Sequence, residues 1–382
     1  MLTIGKDLKK SQAIQIDDTH SRAILICGKR GSGKSYTLGV IAEELFSSQP
    51  KPLILIIDPI GIYWTMCLSA DSSSDGQSKG LPVKVIIPGR PQARYGFDVT
   101  LQMQKLGVEF QEVRINPYDL SPDQWCDLFD LSINEPLGIA LYRAIQHLKK
   151  QNSFSIPDII DAIQKDPLCQ DKTREALLNR LEMACDWDIF SQTSEAPLDI
   201  LSEEELNILD LSVIDPGAFG LRNLIVSILC QDLFKKRAQA RRREELKLGS
   251  HIKCIWLLID EAHQFVPQGK QTLSKEILIR WIKEGRQPGL SCILASQQPS
   301  GLENEVITQC DIIICHKLTN TDDILAVNKL SQDYMGSELR VYIRNLKNIG
   351  EAVLVDDEKE RVSMIKIRKR LTKHGGEELK AQ

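Results

Sequence analysis

Residues Gly28-Lys29-Arg30-Gly31-Ser32-Gly33-Lys34-Ser35 have the types and spacing that grip a nucleotide's phosphates, matching G-x-x-x-x-G-K-[ST] throughout. An apolar strand, Ala23 to Cys27, enters the run, and a helical stretch, Tyr36 to Leu45, leaves it. That context is what the chemistry requires. Glycines let successive backbone N–H groups curl around an anion in front of a helix N-terminus. Lys34 then reaches the β- and γ-phosphates, and Ser35 ligates Mg²⁺. Gly28, Gly31, Ser32, Gly33 and Tyr36 complete the nucleotide-binding set. A second candidate is the apolar run Cys254 to Ile259, which ends in Asp260 and Glu261. An acidic strand end is common in itself. Beside a phosphate loop, Asp260 is placed to hold the Mg²⁺ shell through water, and Glu261 to polarise an attacking water as a base. A third polar cluster, Ser296-Gln297-Gln298, closes the buried run Leu290 to Ala295.

The elements that must position these groups are legible as short apolar runs between turn signals. Ala23 to Cys27, Leu53 to Ile57, Val83 to Ile87, Ile208 to Leu211, Cys254 to Ile259, Leu290 to Ala295 and Ile312 to Cys315 are continuous rather than alternating. Strands buried on both faces have that pattern, which predicts an α/β fold with a mostly parallel sheet and helices on both sides. Glu351 to Val355 and Arg361 to Ile367, around Asp356-Asp357-Glu358, read as a hairpin at the sheet edge. From Ser121 the pattern turns helical, with starts at Ser121-Pro122-Asp123 and Ile156-Pro157-Asp158 and an amphipathic stretch from Thr173 to Cys185. The expected organisation is therefore a first core part over 1–120, an inserted helical subdomain over 121–202 and a second core part over 203–382. The insertion explains why Lys34 and Asp260 are so far apart in sequence. Ser69 to Gly80 reads as a flexible surface loop and Lys373 to Gln382 as a frayed end.

Composition narrows the function. The 382 residues carry 48 Lys plus Arg against 52 Asp plus Glu, a net charge of −4. That excludes a histone-like basic coat but leaves a local basic patch or a ring lumen open. No run approaches the roughly 18 apolar residues that span a bilayer, so no membrane role is expected. Met1 to Asp7 lacks a signal-peptide layout. The ten Cys are scattered, mostly inside apolar runs, which fits reduced core thiols in the cytoplasm. Cys310 and Cys315 have no second pair at zinc spacing.

Several motifs in order resemble the HerA branch of the HerA/FtsK ATPases. They are the phosphate loop, Asp58-Pro59-Ile60-Gly61-Ile62-Tyr63, Ile259 to Pro267, Glu284-Gly285-Arg286, Ala295 to Ser300, Gln309 to Asn320, Gly350-Glu351-Ala352 and His374-Gly375-Gly376. The resemblance covers about Ala23 to Gly376. It implies a RecA-like P-loop NTPase core that assembles as a ring, usually a hexamer, hydrolyses ATP between subunits and moves double-stranded DNA through its lumen. By position it makes Asp260 and Glu261 the Walker B pair, and Gln297 the sensor on the neighbouring strand. Arg286 becomes the arginine finger given to the next subunit, and Arg22 an arginine acting in cis. Family members often carry an N-terminal β-barrel that docks a nuclease. Only 27 residues precede Gly28 here, so that barrel is expected to be absent. Ile60 and Ile62 stand where the family usually has polar residues, Gln298 where it has Arg, and Gln287-Pro288 where it has a Lys-aromatic pair.

Other signals are weaker. Lys235-Lys236-Arg237 and Arg241-Arg242-Arg243 form a basic helix end, more readily a solvated turn than a DNA contact. Lys270 and Lys275 follow the acidic strand and are candidates for the lumen. Asp260 to His263 spells DEAH, but too little chain follows for a second helicase lobe, and no LSGGQ-like signature marks an ABC-type ATPase. The leading expectation is an Mg²⁺-dependent ring ATPase acting on duplex DNA, working with a nuclease or other effector. Its rivals are an ATPase platform that activates an antiviral-defence effector and a protein-remodelling ATPase.

Overall fold

The computed structural model describes residues 1–71, 80–192, 199–215, 217–249, 252–328 and 339–376. Most of the expected Ser69–Gly80 loop (72–79) and the last residues of the expected frayed end (377–382) lie outside the described residues. The chain runs β1 (Leu2–Asp7), β2 (Ala13–Ile16), β3 (Ala23–Cys27), α1 (Lys34–Ser47), β4 (Leu53–Asp58), β5 (Val83–Pro88), α2 (Pro91–Tyr95), α3 (Phe97–Lys105) and β6 (Val108–Val113). Four helices follow: α4 (Pro122–Leu128), α5 (Pro136–Leu148), α6 (Ile156–Lys165) and α7 (Asp171–Asp186). Then come β7 (Leu206–Asp210), α8 (Leu221–Glu245), β8 (Ile255–Ile259), α9 (Lys275–Glu284), β9 (Leu290–Ser296), α10 (Asn304–Ile307), β10 (Ile312–Cys315), α11 (Thr321–Asn328), α12 (Leu339–Arg344), β11 (Glu351–Asp356) and β12 (Arg361–Ile367).

Among the described residues the strands form one sheet, in the order β2-β1-β12-β11-β10-β3-β9-β8-β4-β7-β5-β6. From β10 to β6 every pairing is parallel. The remaining pairings are antiparallel. The central strands are buried on both faces, which is why they are apolar at every position. Leu25, Leu257 and Leu294 point into one core, with α4 to α9 packed against it. Ile24, Leu258 and Ile293 point into the other, against α1. Helix starts follow their caps. Ser121 and Gln124 form a capping box at α4, Ser155 and Asp158 another at α6, each with Pro in the first turn.

Two expectations need correction. The β11–β12 hairpin is not at the edge, because β1 pairs with β12 and β2 with β1. Gly5 makes that pairing possible, since a Cβ there would collide with the Lys366 carbonyl. At the other end β6 adds an edge strand that the apolar runs did not reveal, because Glu109, Gln111 and Glu112 interrupt it. Among the described residues no helix is long and apolar enough to cross a membrane.

Candidate nucleotide-binding site

The sheet order brings the chemistry together. Parallel strands all end at one edge, so the loops after β3, β9, β8 and β4 lie side by side there. They carry the phosphate loop, Gln297, Asp260–Glu261 and Asp58–Tyr63 respectively. A cavity of about 830 Å³ opens over this edge, lined among others by Arg30, Lys34, Ser35, Tyr36, Glu261 and Gln297.

Local geometry fixes the phosphate loop. Gly33 caps α1 at φ 112°, a backbone region that side chains other than glycine rarely adopt. The Lys29 N–H donates to the Lys317 carbonyl at 2.9 Å, and the Gly350 N–H to the Ser32 carbonyl at 3.3 Å. Beneath the loop lies His316, fully buried. One of its ring nitrogens is 2.9 Å from the Thr37 hydroxyl and the other 2.9 Å from the Glu351 carbonyl. Because a carbonyl only accepts, Nδ1 carries the hydrogen; burial keeps the ring neutral, and Nε2 then accepts from the Thr37 hydroxyl. Burial holds its pKa down at about 4, and the Lys34 and Lys366 cations push the same way. Gly28 must lack a side chain, since a Cβ would lie 2.6 Å from that of His316.

Lys34 is buried at 4% exposure. Burial lowers its pKa, and the charges of Glu261 and Asp260 oppose that shift. Asp260 is fully buried, which raises its carboxyl above the usual range. It accepts from the Tyr63 hydroxyl at 2.9 Å and the Glu261 N–H at 2.9 Å, and it bonds the Ser35 side chain. Tyr63 is itself set by Asp58, whose carboxylate accepts the N–H groups of Ile60, Gly61 and Tyr63. Glu261 sits in left-handed backbone at φ 47° and ψ 46°, an uncommon state for a non-glycine residue. Its Oε1 accepts from the Gln297 amide, and its Oε2 lies 3.4 Å from His263 Nδ1. The arrangement offers a cationic clamp, a buried hard-oxygen pair in Ser35 and Asp260, and a carboxylate held above them.

Two candidates, Arg286 and Arg22, are elsewhere. Arg286 is exposed just beyond α9, before the start of β9, whereas Gln297 follows its end. The seven residues of β9 separate them, roughly 20 Å of extended chain. Arg22 precedes β3 and so lies at that same far edge. It pairs with Asp17 at 3.1 Å and Glu358 at 2.5 Å, and the length of β3 separates it from this chain's own phosphate loop. Of the two lysines expected at a lumen, Lys275 is buried, bonded to the Pro267 carbonyl and paired with Glu303, whereas Lys270 is exposed. In the basic stretch of α8, Lys236, Arg237 and Arg241 pair with acids of the same helix. Sequence reasoning missed His316 and the linking role of Tyr63. Both stood inside noted motifs, Asp58 to Tyr63 and Gln309 to Asn320, but no spacing rule announces what either side chain bonds.

A family model described as "Helicase HerA, central domain" matches residues 2–233. A probable helicase of Methanocaldococcus jannaschii is 26% identical over 375 residues, covering 94% of this chain and 64% of that protein. The DNA double-strand break repair helicase HerA of Sulfurisphaera tokodaii is 24% identical over 390 residues, covering 96% of this chain and 69% of that protein. The chain thus spans about two thirds of the length of these relatives. Among solved structures, VirB4 of Thermoanaerobacter pseudethanolicus superposes with a TM-score of 0.64 at 16% identity, covering 96% of each chain. The bacterial conjugative coupling protein TrwB gives 0.55 at 11% identity, covering 99% of this chain and 92% of that one. These likenesses establish a RecA-like P-loop fold.

Two predictions follow from the buried bonds. Tyr63→Phe removes one donor from the buried Asp260 carboxylate and should cost about 1–3 kcal/mol in urea unfolding; an unchanged midpoint would contradict the bond. His316 binds its proton near pH 4 when folded, against about 6.5 when unfolded. Its contribution is therefore complete above about pH 6.5 and lost as pH falls towards 4, on the order of 3 kcal/mol in all. Unfolding curves at pH 7 and pH 5 should show the loss in the wild type and a smaller one in His316→Phe. Equal slopes would contradict the assignment.

Proposed function

The chain belongs to the HerA helicase central-domain family, and from that membership we propose that it is an Mg²⁺-dependent ATPase that assembles as a ring and acts as a motor on double-stranded DNA.

 

The single observation that carries this reading is the convergence of Lys34, Ser35, Asp260, Glu261 and Gln297 on one sheet edge. That DNA is the track is carried over from the printed names of the relatives. A net charge of −4 puts no broad basic coat on the chain, so contacts to the duplex would come from a local surface such as exposed Lys270.

The chemistry follows from the side chains. Backbone N–H groups of the loop and the α1 N-terminus receive the phosphates, and Lys34 supplies the charge that a buried polyanion needs. Ser35 and Asp260 fit Mg²⁺, since both offer oxygen, Asp260 is fully buried and the two are already bonded. Among the described residues no group of three or more His, Cys, Asp or Glu is placed to hold a metal alone, so the ion would be shared with the phosphates. When bound, Mg²⁺ neutralises charge on the phosphate oxygens. Glu261 orients and deprotonates the attacking water. Gln297, bonded to Glu261, aims that carboxylate and senses the terminal phosphate. Arg286 lies too far away to serve its own site, which supports its donation to the next subunit of a ring. A hexamer, a cytoplasmic setting and a partner nuclease or defence effector are the finer parts of the proposal. Co-purification from the native host tests the partner.

Lys34→Ala should abolish ATP turnover and weaken nucleotide binding. Glu261→Gln should still bind ATP and lose turnover by roughly 10²- to 10⁴-fold, the usual share of a general base. Duplex DNA should stimulate the wild type more than single strands or an unfolded protein does. Wild-type turnover in Glu261→Gln would remove the base assignment, and stimulation by unfolded protein alone would favour a remodelling ATPase.

A further inference from the structure

Beyond β12 the chain leaves the sheet and lies along α1, from Arg368 to Gly376. The contacts run backwards along the helix, towards its phosphate-binding end. Glu43 organises them. Its carboxylate is 1% exposed and takes no part in the chemistry above. It accepts the N–H groups of Leu371 at 3.0 Å and Thr372 at 2.9 Å and the Thr372 hydroxyl at 2.6 Å, and it pairs with Arg368 at 2.7 Å. Nearer the phosphate loop, the Arg370 N–H donates to the Tyr36 hydroxyl at 2.7 Å. Gly39 lets the segment come close, since a Cβ there would lie 2.5 Å from the Arg370 guanidinium. The far end is also fastened. The Lys373 N–H donates to the Leu68 carbonyl at 2.8 Å, and the Thr65 hydroxyl donates to the Lys373 carbonyl at 3.1 Å. His374 is thereby held edge-on to Tyr36, with ring centroids 5.5 Å apart.

His374, Tyr36 and Ile62 line the same cavity as Lys34 and Ser35. This matters because the direction of a bound nucleotide is constrained. Asp260, Glu261 and Gln297 mark the end where the terminal phosphate reacts. The other end of the phosphate chain meets the first N–H groups of α1, so the ribose and base must leave past Tyr36. The cavity there offers an aromatic ring, an imidazole and aliphatic carbon, surfaces suited to the face of a nucleobase, together with the cationic side chains of Lys366, Arg368 and Lys369. We propose that the segment Arg368–Gly376 is the base-side wall of the nucleotide site, with His374, Tyr36 and Ile62 taking the nucleobase and Glu43 holding the wall against α1. The proposal rests on the nucleotide-binding reading above and adds to it the residues that recognise the base.

The test compares two ligands that share phosphates and differ in the base. Calorimetric titration of the full chain with ATP and with inorganic tripolyphosphate, both with Mg²⁺, separates the two contributions. The wild type should bind ATP more tightly than tripolyphosphate. His374→Ala should weaken ATP on the order of tenfold, the scale of one base–aromatic contact, and leave tripolyphosphate unchanged. Glu43→Gln, if it folds, should do the same by loosening the wall; if it does not fold, His374→Ala decides. Lys34→Ala should weaken both ligands. Unchanged ATP affinity in His374→Ala would overturn the proposal while leaving the nucleotide reading intact, and so would an equal loss for both ligands. A wild type that binds neither ligand would overturn both.

Discussion

A buried ammonium must be neutralised where it stands, and the arrangement around Lys34 follows from that need. Its side chain is almost wholly out of water, with the Lys29 carbonyl at 3.5 Å. The charges that favour its protonated form are Glu261 and Asp260, from a strand more than two hundred residues away in sequence. Each of those carboxylates is also buried and is bonded from a different element, although Glu261 Oε2 has only His263 Nδ1 beside it, at 3.4 Å. Tyr63 and Ser35 bond Asp260, and Gln297 bonds Glu261. Removing any one leaves a buried polar group without its partner, which costs more than the bond itself contributes. The same positive charge that the carboxylates hold in place is what a polyphosphate would meet.

The parallel sheet makes this possible and also limits it. Because β3, β9, β8 and β4 run the same way, everything carried at their ends shares one edge. For the same reason, whatever precedes them is at the opposite edge. Arg22 and Arg286 are there, one tied into ion pairs and the other exposed. A site that needs an arginine from that edge needs a second copy of the chain to supply it.

The central strands and the phosphate loop were legible because their rules are local. A strand buried on both faces is apolar at every position, and a phosphate loop must space its glycines, Lys34 and Ser35 in one way. β1 and β2 were not legible, since Leu2–Asp7 and Ala13–Ile16 are short and mixed, and the partner that makes β1 a strand lies at Arg361–Ile367. The buried roles of His316 and Glu43 escaped notice for a related reason. Each acts through burial against residues distant in sequence, Thr37 and Glu351 for one and Arg368 to Thr372 for the other. Arg22 was named from the resemblance alone, and an extended strand lies between it and the phosphate loop.

If Arg286 is the finger proposed above, catalysis needs groups from two copies of the chain, and complementation measures that directly. Arg286→Ala and Glu261→Gln subunits, each expected to be inactive when purified alone, would be co-expressed and isolated as mixed assemblies, and ATP turnover measured. A mixed interface can pair an intact Glu261 on one subunit with an intact Arg286 on its neighbour. The account predicts that turnover returns in the mixed assemblies, with each finger worth on the order of 10³- to 10⁵-fold in rate where it is present. Full activity of Arg286→Ala on its own would contradict the claim.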